Sequence, residues 1–180
     1  MGSDSSLGQV PLSNIHIYST KQSKWFTHSL DSNAEVPFPR YAFCTAVKSA
    51  PDGSSHQIYL FSGLMASPSR SDINGSTVES TEVWVLTIPT FEWIQLDWSG
   101  STTGNPKGRI APSCVTIGEH YVFSYGGRKS SSYSDGVECD DKGNAALLYD
   151  LNTLTWTDQF EPNQGTYKVP QKLYQMVGGK

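Results

Sequence analysis

Three tryptophans place the strongest constraint on the fold of this chain, because each one follows an apolar strand and a short polar turn. The strand–turn–Trp units are Ile15–Tyr18 with Trp25, Val83–Leu86 with Trp93, and Leu147–Asp150 with Trp156. The tryptophans stand 68 and 63 residues apart. Recurrence of one short pattern at a nearly constant interval predicts a repeat architecture.

Two of these units also share a front half. An arginine, Arg40 or Arg109, precedes two short strands that end at Gly63 or at Gly126-Gly127. The predicted strands of the two units are Ala42–Val47, Gln57–Phe61, Glu82–Leu86 and Glu92–Leu96, then Ser113–Ile117, Tyr121–Tyr125, Ala146–Asp150 and Thr155–Thr157. Several are apolar at consecutive positions, which indicates sheets covered on both faces. Four strands per repeat predict an all-β propeller.

The order Arg, Gly-Gly, Tyr, Trp resembles the kelch repeat. Arg109, Gly126-Gly127, Tyr149 and Trp156 match all four positions. In the earlier unit, Ser62 replaces the first Gly and Val85 replaces the Tyr. The resemblance implies kelch-type β-propeller blades, about two and a half four-stranded antiparallel blades of a partial propeller. Most of the matching residues are expected to be structural. These kelch landmarks are Trp25, Arg40, Gly63, Trp93, Arg109, Gly126, Gly127, Tyr149 and Trp156.

The repeats divide the chain into five predicted regions. These are a disordered polar start (1–12), the second half of a blade (13–29), two blades (30–99 and 100–160) and a C-terminal segment (161–180). Strands are expected at Ile15–Tyr18 and Lys24–Thr27 in the half-blade. In the last region, the run 172–177 before Gly178-Gly179 is predicted to be a strand that closes the parent ring. Since propellers have at least four blades, the chain is expected to be a fragment of a larger propeller; the alternative is a complete short protein that assembles with another chain.

Two connections of 18 residues, 64–81 and 128–145, follow the second strand of each predicted blade. Propellers bind through loops at one face, so a ligand face is expected there. The candidate residues are Arg70, Asp72, Arg128, Lys129, Tyr133 and Asp135. Asn74 begins an Asn-Gly-Ser sequon, which predicts a glycosylation site if the chain is secreted.

The three cysteines leave two alternatives open. Cys114 and Cys139 fall in the same predicted blade, which favours a Cys114–Cys139 disulfide in an extracellular protein; otherwise all three are buried thiols. Their spacing matches no metal site, and neither do the four histidines. No cofactor or metal is therefore expected.

Charge and hydropathy exclude several partners. The net charge is −4 with no basic run, so nucleic acid is not expected to bind. No apolar stretch approaches the roughly 20 residues of a membrane-spanning helix. The expected partner is a protein or a carbohydrate, and unpaired blade edges are expected to favour self-association.

Part of the sequence also resembles filamentous-fungal kelch proteins. The matching segments are 51–59, 85–93, and 167–170 followed by Gly178-Gly179. This resemblance implies the extracellular side of a membrane-anchored parent; otherwise the chain is expected in the cytoplasm. The leading hypothesis is a protein-interaction or cell-surface binding module that is not an enzyme. The alternatives are a fragment of a galactose-oxidase-like kelch oxidase and a cytosolic kelch adaptor.

Overall fold

A computed structural model describes residues 11–66, 77–96, 108–128, 146–162 and 165–177. Within these ranges the chain forms antiparallel strands and one short helix. The strands are β1 (Asn14–Ser19), β2 (Lys24–Ser29), β3 (Arg40–Tyr41), β4 (Cys44–Ser49), β5 (His56–Phe61), β6 (Leu64–Ala66), β7 (Thr77–Glu79), β8 (Val83–Ile88), β9 (Glu92–Leu96), β10 (Ser113–Ile117), β11 (Tyr121–Tyr125), β12 (Ala146–Asp150) and β13 (Thr155–Thr157). The helix is α1 (Gln171–Val177).

Two four-stranded sheets form the body of the fold. The central blade has the order β4-β5-β8-β9, and the C-terminal blade has the order β10-β11-β12-β13. Each order follows the chain, as expected for propeller blades. The predicted all-β partial propeller of kelch type is therefore confirmed.

The third strand of the central blade, β8, is buried on both faces, which explains its continuous apolar sequence. Five consecutive residues of β8, from Val83 to Thr87, are buried. Alternate residues of a strand point to opposite faces, so such a run requires cover on each side.

The main core lies between the two blades. It combines β5 and β8 of the central blade with β12 and β13 of the C-terminal blade. The rings of Phe61, Tyr149 and Trp156 meet edge-to-face there, with centroids 5.0–5.7 Å apart. These aromatic side chains fill the space between the two sheets.

The half-blade, β1 and β2, forms a two-stranded hairpin. All six residues of β2 are exposed, and Trp25 has 66% of its surface accessible. The hairpin turn holds Ser23 at a φ of 49°, and the corresponding turn residues Phe91 and Leu154 both have a φ of 58°. The three turns before the tryptophans therefore share a residue with positive φ at the matching position, although the burial of the tryptophans differs.

The first long connection is not a plain loop. Both of its ends are strands, β6 and β7, which join β3 in a three-stranded sheet. The second connection begins in the same way, because Ile110 pairs with Arg128 as Tyr41 pairs with Leu64. The prediction of 18-residue insertions without strands was wrong for 64–81, because β6 pairs with β3 and β7 pairs with β6.

The predicted closing strand at 172–177 is also wrong, since this segment is helical in α1. Leu173 is fully buried and Tyr174 is half-buried, whereas residues 171, 172, 175 and 176 are exposed. That pattern follows the helical period, and packing against the inter-blade core decides it. Short apolar runs of this length suit either a strand or a helix when only the sequence is known.

Candidate binding surface

The two glycines at the ends of the second strands allow close backbone contact. A Cβ at Gly63 would lie 2.9 Å from Phe43 Cβ and 3.0 Å from the Tyr41 carbonyl oxygen. A Cβ at Gly127 would lie 2.9 Å from the carbonyl oxygen of Ile110. Both glycines have positive φ, 95° and 77°. In each repeat, the three residues that follow the kelch arginine approach this glycine so closely that a Cβ does not fit there.

Arg40 ties the start of the central blade to its third strand. Its guanidinium donates hydrogen bonds to the Phe38 carbonyl at 3.0 Å, to Ser80 Oγ at 2.5 Å and to Glu82 Oε2 at 2.8 Å. Trp84 Nε1 donates to the same Glu82 oxygen at 3.0 Å. Arg40 is buried, and this network satisfies it internally rather than presenting it to a ligand.

Burial and ion pairing shift the pKa values of Arg40 and Glu82 in opposite directions. Burial lowers the pKa of Arg40, and the partner Glu82 offsets part of that decrease. Burial alone would raise the pKa of Glu82, but hydrogen bonds from Arg40 and Trp84 outweigh it, and this pKa lies below its ordinary value. Both groups therefore stay charged at neutral pH and act as structural supports.

A seam of two backbone hydrogen bonds joins the two blades next to their first strands, β4 and β10. The Gly63 N–H donates to the Arg109 carbonyl at 2.9 Å, and the Ala111 N–H donates to the Ala42 carbonyl at 2.7 Å. Ala42 and Ala111 occupy matching positions two residues after the kelch arginines, and both have positive φ, 54° and 56°. The repeats therefore meet through equivalent backbone positions.

A disulfide completes this seam, and it corrects the cysteine prediction. Cys44 of β4 is bonded to Cys114 of β10, with a Cα–Cα distance of 5.6 Å. The predicted Cys114–Cys139 bridge is therefore not the one formed by Cys114; Cys139 lies outside the described residues. Sequence proximity favoured a bridge within one blade, whereas the fold places equivalent first strands side by side.

The segment before α1 inserts a tyrosine into the central blade. Tyr167 Oη donates to Gln57 Oε1 at 3.1 Å and lies 3.2 Å from Tyr59 Oη. All three side chains are buried. Burial raises the pKa of Tyr59 well above its ordinary value and that of Tyr167 to about 12. These phenols are consequently neutral hydrogen-bonding groups of the core.

Of the predicted ligand-face residues, the structure describes only Arg128. Its side chain is exposed, and its backbone pairs with Ile110 at the start of the second connection. Arg70, Asp72, Asn74, Lys129, Tyr133 and Asp135 lie outside the described residues. The ligand face at these positions remains a proposal.

The structure adds two aromatic residues at this end of the blades that the sequence argument did not select. Phe38 and Tyr41 are 51% and 42% exposed, although they flank the buried Arg40. Tyr41 pairs with Leu64 at the beginning of the first connection. We call Phe38, Tyr41 and Arg128 the connection face. The position of Phe38 and Tyr41 beside Arg40 was the signal that could have identified them.

The described residues show no other chemical centre. Among them, no three His, Cys, Asp or Glu side chains are grouped so that they could hold a metal ion. In the same part of the chain, no helix has the length and apolarity required to cross a bilayer.

The repeat geometry agrees with a comparison to known proteins. A kelch repeat-containing protein of Arthroderma benhamiae is 29% identical over 161 residues. The chain resembles a kelch-repeat protein. The match covers 89% of this chain but 22% of the relative, so the chain spans about a fifth of that protein's length. No protein-family model matches it.

Proposed function

We propose that this kelch chain is a protein-interaction module that binds its partner through the connection face. The observation that supports this proposal is the exposure of Phe38 and Tyr41 on a backbone held by buried bonds. The Arg40 network fixes one side, and the hydrogen bond from Ala111 to Ala42 fixes the other. Exposed aromatics on a rigid support are typical of binding hot spots, because little conformational entropy is lost on association.

The same face receives both long connections of the blades. Leu64 and Arg128 begin these connections and pair with Tyr41 and Ile110. A partner at Tyr41 would therefore lie beside Leu64, where the first connection begins. Binding, rather than catalysis, is the proposed role, because the described side chains near this face serve packing and hydrogen bonding.

Site-specific photocrosslinking tests the proposal. A photoreactive phenylalanine analogue replaces Tyr41 in one variant and Glu119 in a control. Glu119 is exposed in the turn between β10 and β11, at the opposite end of the blades. We expect a discrete protein adduct from position 41 and none from position 119. Equal adducts from both positions, or carbohydrate adducts only, would contradict the proposal.

Self-association through the half-blade is a second candidate function, favoured by a separate observation. In the described chain, the free edge of β1 has no neighbouring strand, while the corresponding β8 and β12 are each paired on both sides. Tyr18, Trp25 and Phe26 are exposed on this hairpin. Unpaired edges with exposed aromatics favour pairing with another copy.

Light scattering after size-exclusion chromatography tests self-association. We expect a mass above 19.8 kDa that decreases on dilution. Replacing Ile17 of β1 with lysine should shift the equilibrium to the monomer, because charged edge strands resist pairing. A monomer at all concentrations for the unmodified chain would reject this candidate.

A further inference from the structure

A groove separate from the connection face lies between the half-blade and the last turn of the central blade. Its cavity measures about 420 Å³. One wall is the chain from His28 to Glu35, and the other is the segment from Thr90 to Ile94, with Met176 of α1 nearby. We call this cavity the outer groove.

Local structure holds both walls in place. The rings of His28 and Phe91 stack across the groove with centroids 4.4 Å apart. Asp31 Oδ1 accepts the Asn33 N–H at 2.9 Å, and the Asp31 carbonyl accepts the Ala34 N–H at 3.0 Å. Trp93 Nε1 donates to the Leu12 carbonyl at 3.1 Å. The aromatic lining is therefore positioned by hydrogen bonds and stacking before any ligand arrives.

The charge of the outer groove is one-sided. Asp31, Glu35 and Glu92 all line it, and all three are exposed. Among the described residues, none of these carboxylates forms a salt bridge, and no Lys or Arg lines the cavity. His28 is the single basic side chain in the lining. An unbalanced negative potential at a concave surface attracts a cationic ligand.

We propose that the outer groove binds an arginine side chain of a peptide segment. A guanidinium group stacks on aromatic faces and forms paired hydrogen bonds with carboxylates. The outer groove offers both, with Phe91 and Trp93 in the lining and Glu35 and Glu92 among its acids. A neutral sugar would use the aromatic rings but would leave the excess negative charge uncompensated.

Two labelled peptides test this site. The probe is fluorescein-labelled Gly-Arg-Gly-Arg-Gly, and the control carries citrulline, which keeps the shape of arginine without its charge. Binding is followed by fluorescence anisotropy and by the indole N–H signal of Trp93 in nuclear magnetic resonance spectra. We expect the arginine peptide to bind and to shift the Trp93 signal, with no shift from the citrulline peptide.

Matched charge variants locate the binding. Glu35→Gln and Glu92→Gln should each weaken the arginine peptide about two- to fivefold, the range for an exposed ion pair. Glu119→Gln makes the same charge change away from the outer groove and should leave affinity unchanged.

Three outcomes would overturn the proposal: equal binding of both peptides, an equal loss with Glu119→Gln, or a Trp93 shift produced by laminarihexaose and not by the arginine peptide. This test does not involve Tyr41, so a negative result would not contradict the proposal for the connection face. A negative result at Tyr41 would likewise not contradict arginine binding in the outer groove.

Discussion

The ring of Trp156 contacts the ring of Phe61 edge-on, with centroids 5.7 Å apart, although the two residues belong to different blades. Trp156 is 4% exposed, and the ring of Tyr149 contacts it as well, with centroids 5.0 Å apart. The repeat that places Trp156 at the end of its blade thus also supplies the contact to the preceding blade. The kelch tryptophan stabilises the junction between repeats rather than one repeat alone.

Trp156→Ala should lower the free energy of unfolding by roughly 3–5 kcal/mol, because it removes a large buried ring. Urea denaturation measures the change. Trp25→Ala is the matched control, since Trp25 has the same place in its repeat but is exposed. Its effect should stay below about 1 kcal/mol. Similar losses in the two variants would show that the half-blade tryptophan is also packed in solution.

Cys44→Ala should destabilise the chain by opening a disulfide that spans 70 residues. The chain-entropy model gives a loss of about 4 kcal/mol for a loop of this length. Unfolding is measured with and without dithiothreitol. The reductant should lower the midpoint of the unmodified chain and leave that of the variant unchanged. A midpoint of the unmodified chain that ignores the reductant would contradict the bridge between the blades.

Gly127→Ala should cost more stability than Gly126→Ala. Both residues have positive φ, 77° and 71°, so both substitutions carry backbone strain of roughly 1–2 kcal/mol. Within the described part of the chain, a Cβ at Gly126 meets no atom within 4 Å, whereas one at Gly127 lies 2.9 Å from Ile110 O. Crowding adds roughly 1–3 kcal/mol at Gly127 alone. Equal unfolding midpoints for the two variants would exclude the close approach.

Stability should fall above pH 10 as the buried phenols ionise. The pKa of Tyr167 is raised by burial from 10.0 to about 12, so folding favours its neutral form. This contribution is complete below pH 10 and is lost as the pH rises toward 12. At pH 11 the loss of unfolding free energy from Tyr167 is on the order of 1 kcal/mol.

Urea midpoints between pH 8 and pH 11 check this dependence. Tyr167→Phe should show a shallower alkaline decrease, together with a loss of roughly 1–3 kcal/mol at pH 8, because Gln57 Oε1 loses its buried donor. Tyr41→Phe serves as the control at an exposed position. An alkaline slope that Tyr167→Phe leaves unchanged would contradict the burial of this phenol.

Leu173→Ala should destabilise the chain by roughly 2–5 kcal/mol, as expected for a fully buried leucine. Gln175→Ala changes an exposed residue of the same helix and should have little effect. Thermal unfolding compares the two variants. A neutral Leu173→Ala would indicate that α1 does not pack against the inter-blade core.

The sequence by itself determined the repeat, the class of fold and most strands. Strong β-formers, turn residues and the regular Arg, Gly and Trp spacing are local signals, and they agreed with each other along the chain. The strand β9, at Glu92–Leu96, and all four strands of the C-terminal blade have the predicted bounds. Glycine was also predictable at 63 and 127, since the repeat itself marks these turns.

The tertiary structure decided what those residues contact. Cys114 pairs with Cys44 across 70 positions, and Trp25 is exposed where Trp156 is buried, although the local sequences are alike. The run 172–177 is helical because Leu173 packs into the core between the blades. Each of these outcomes depends on a neighbour far away in sequence. Strand pairing and burial therefore depend on that neighbour as much as on the residue itself. The neighbour also decides whether a short apolar run forms a strand or a helix.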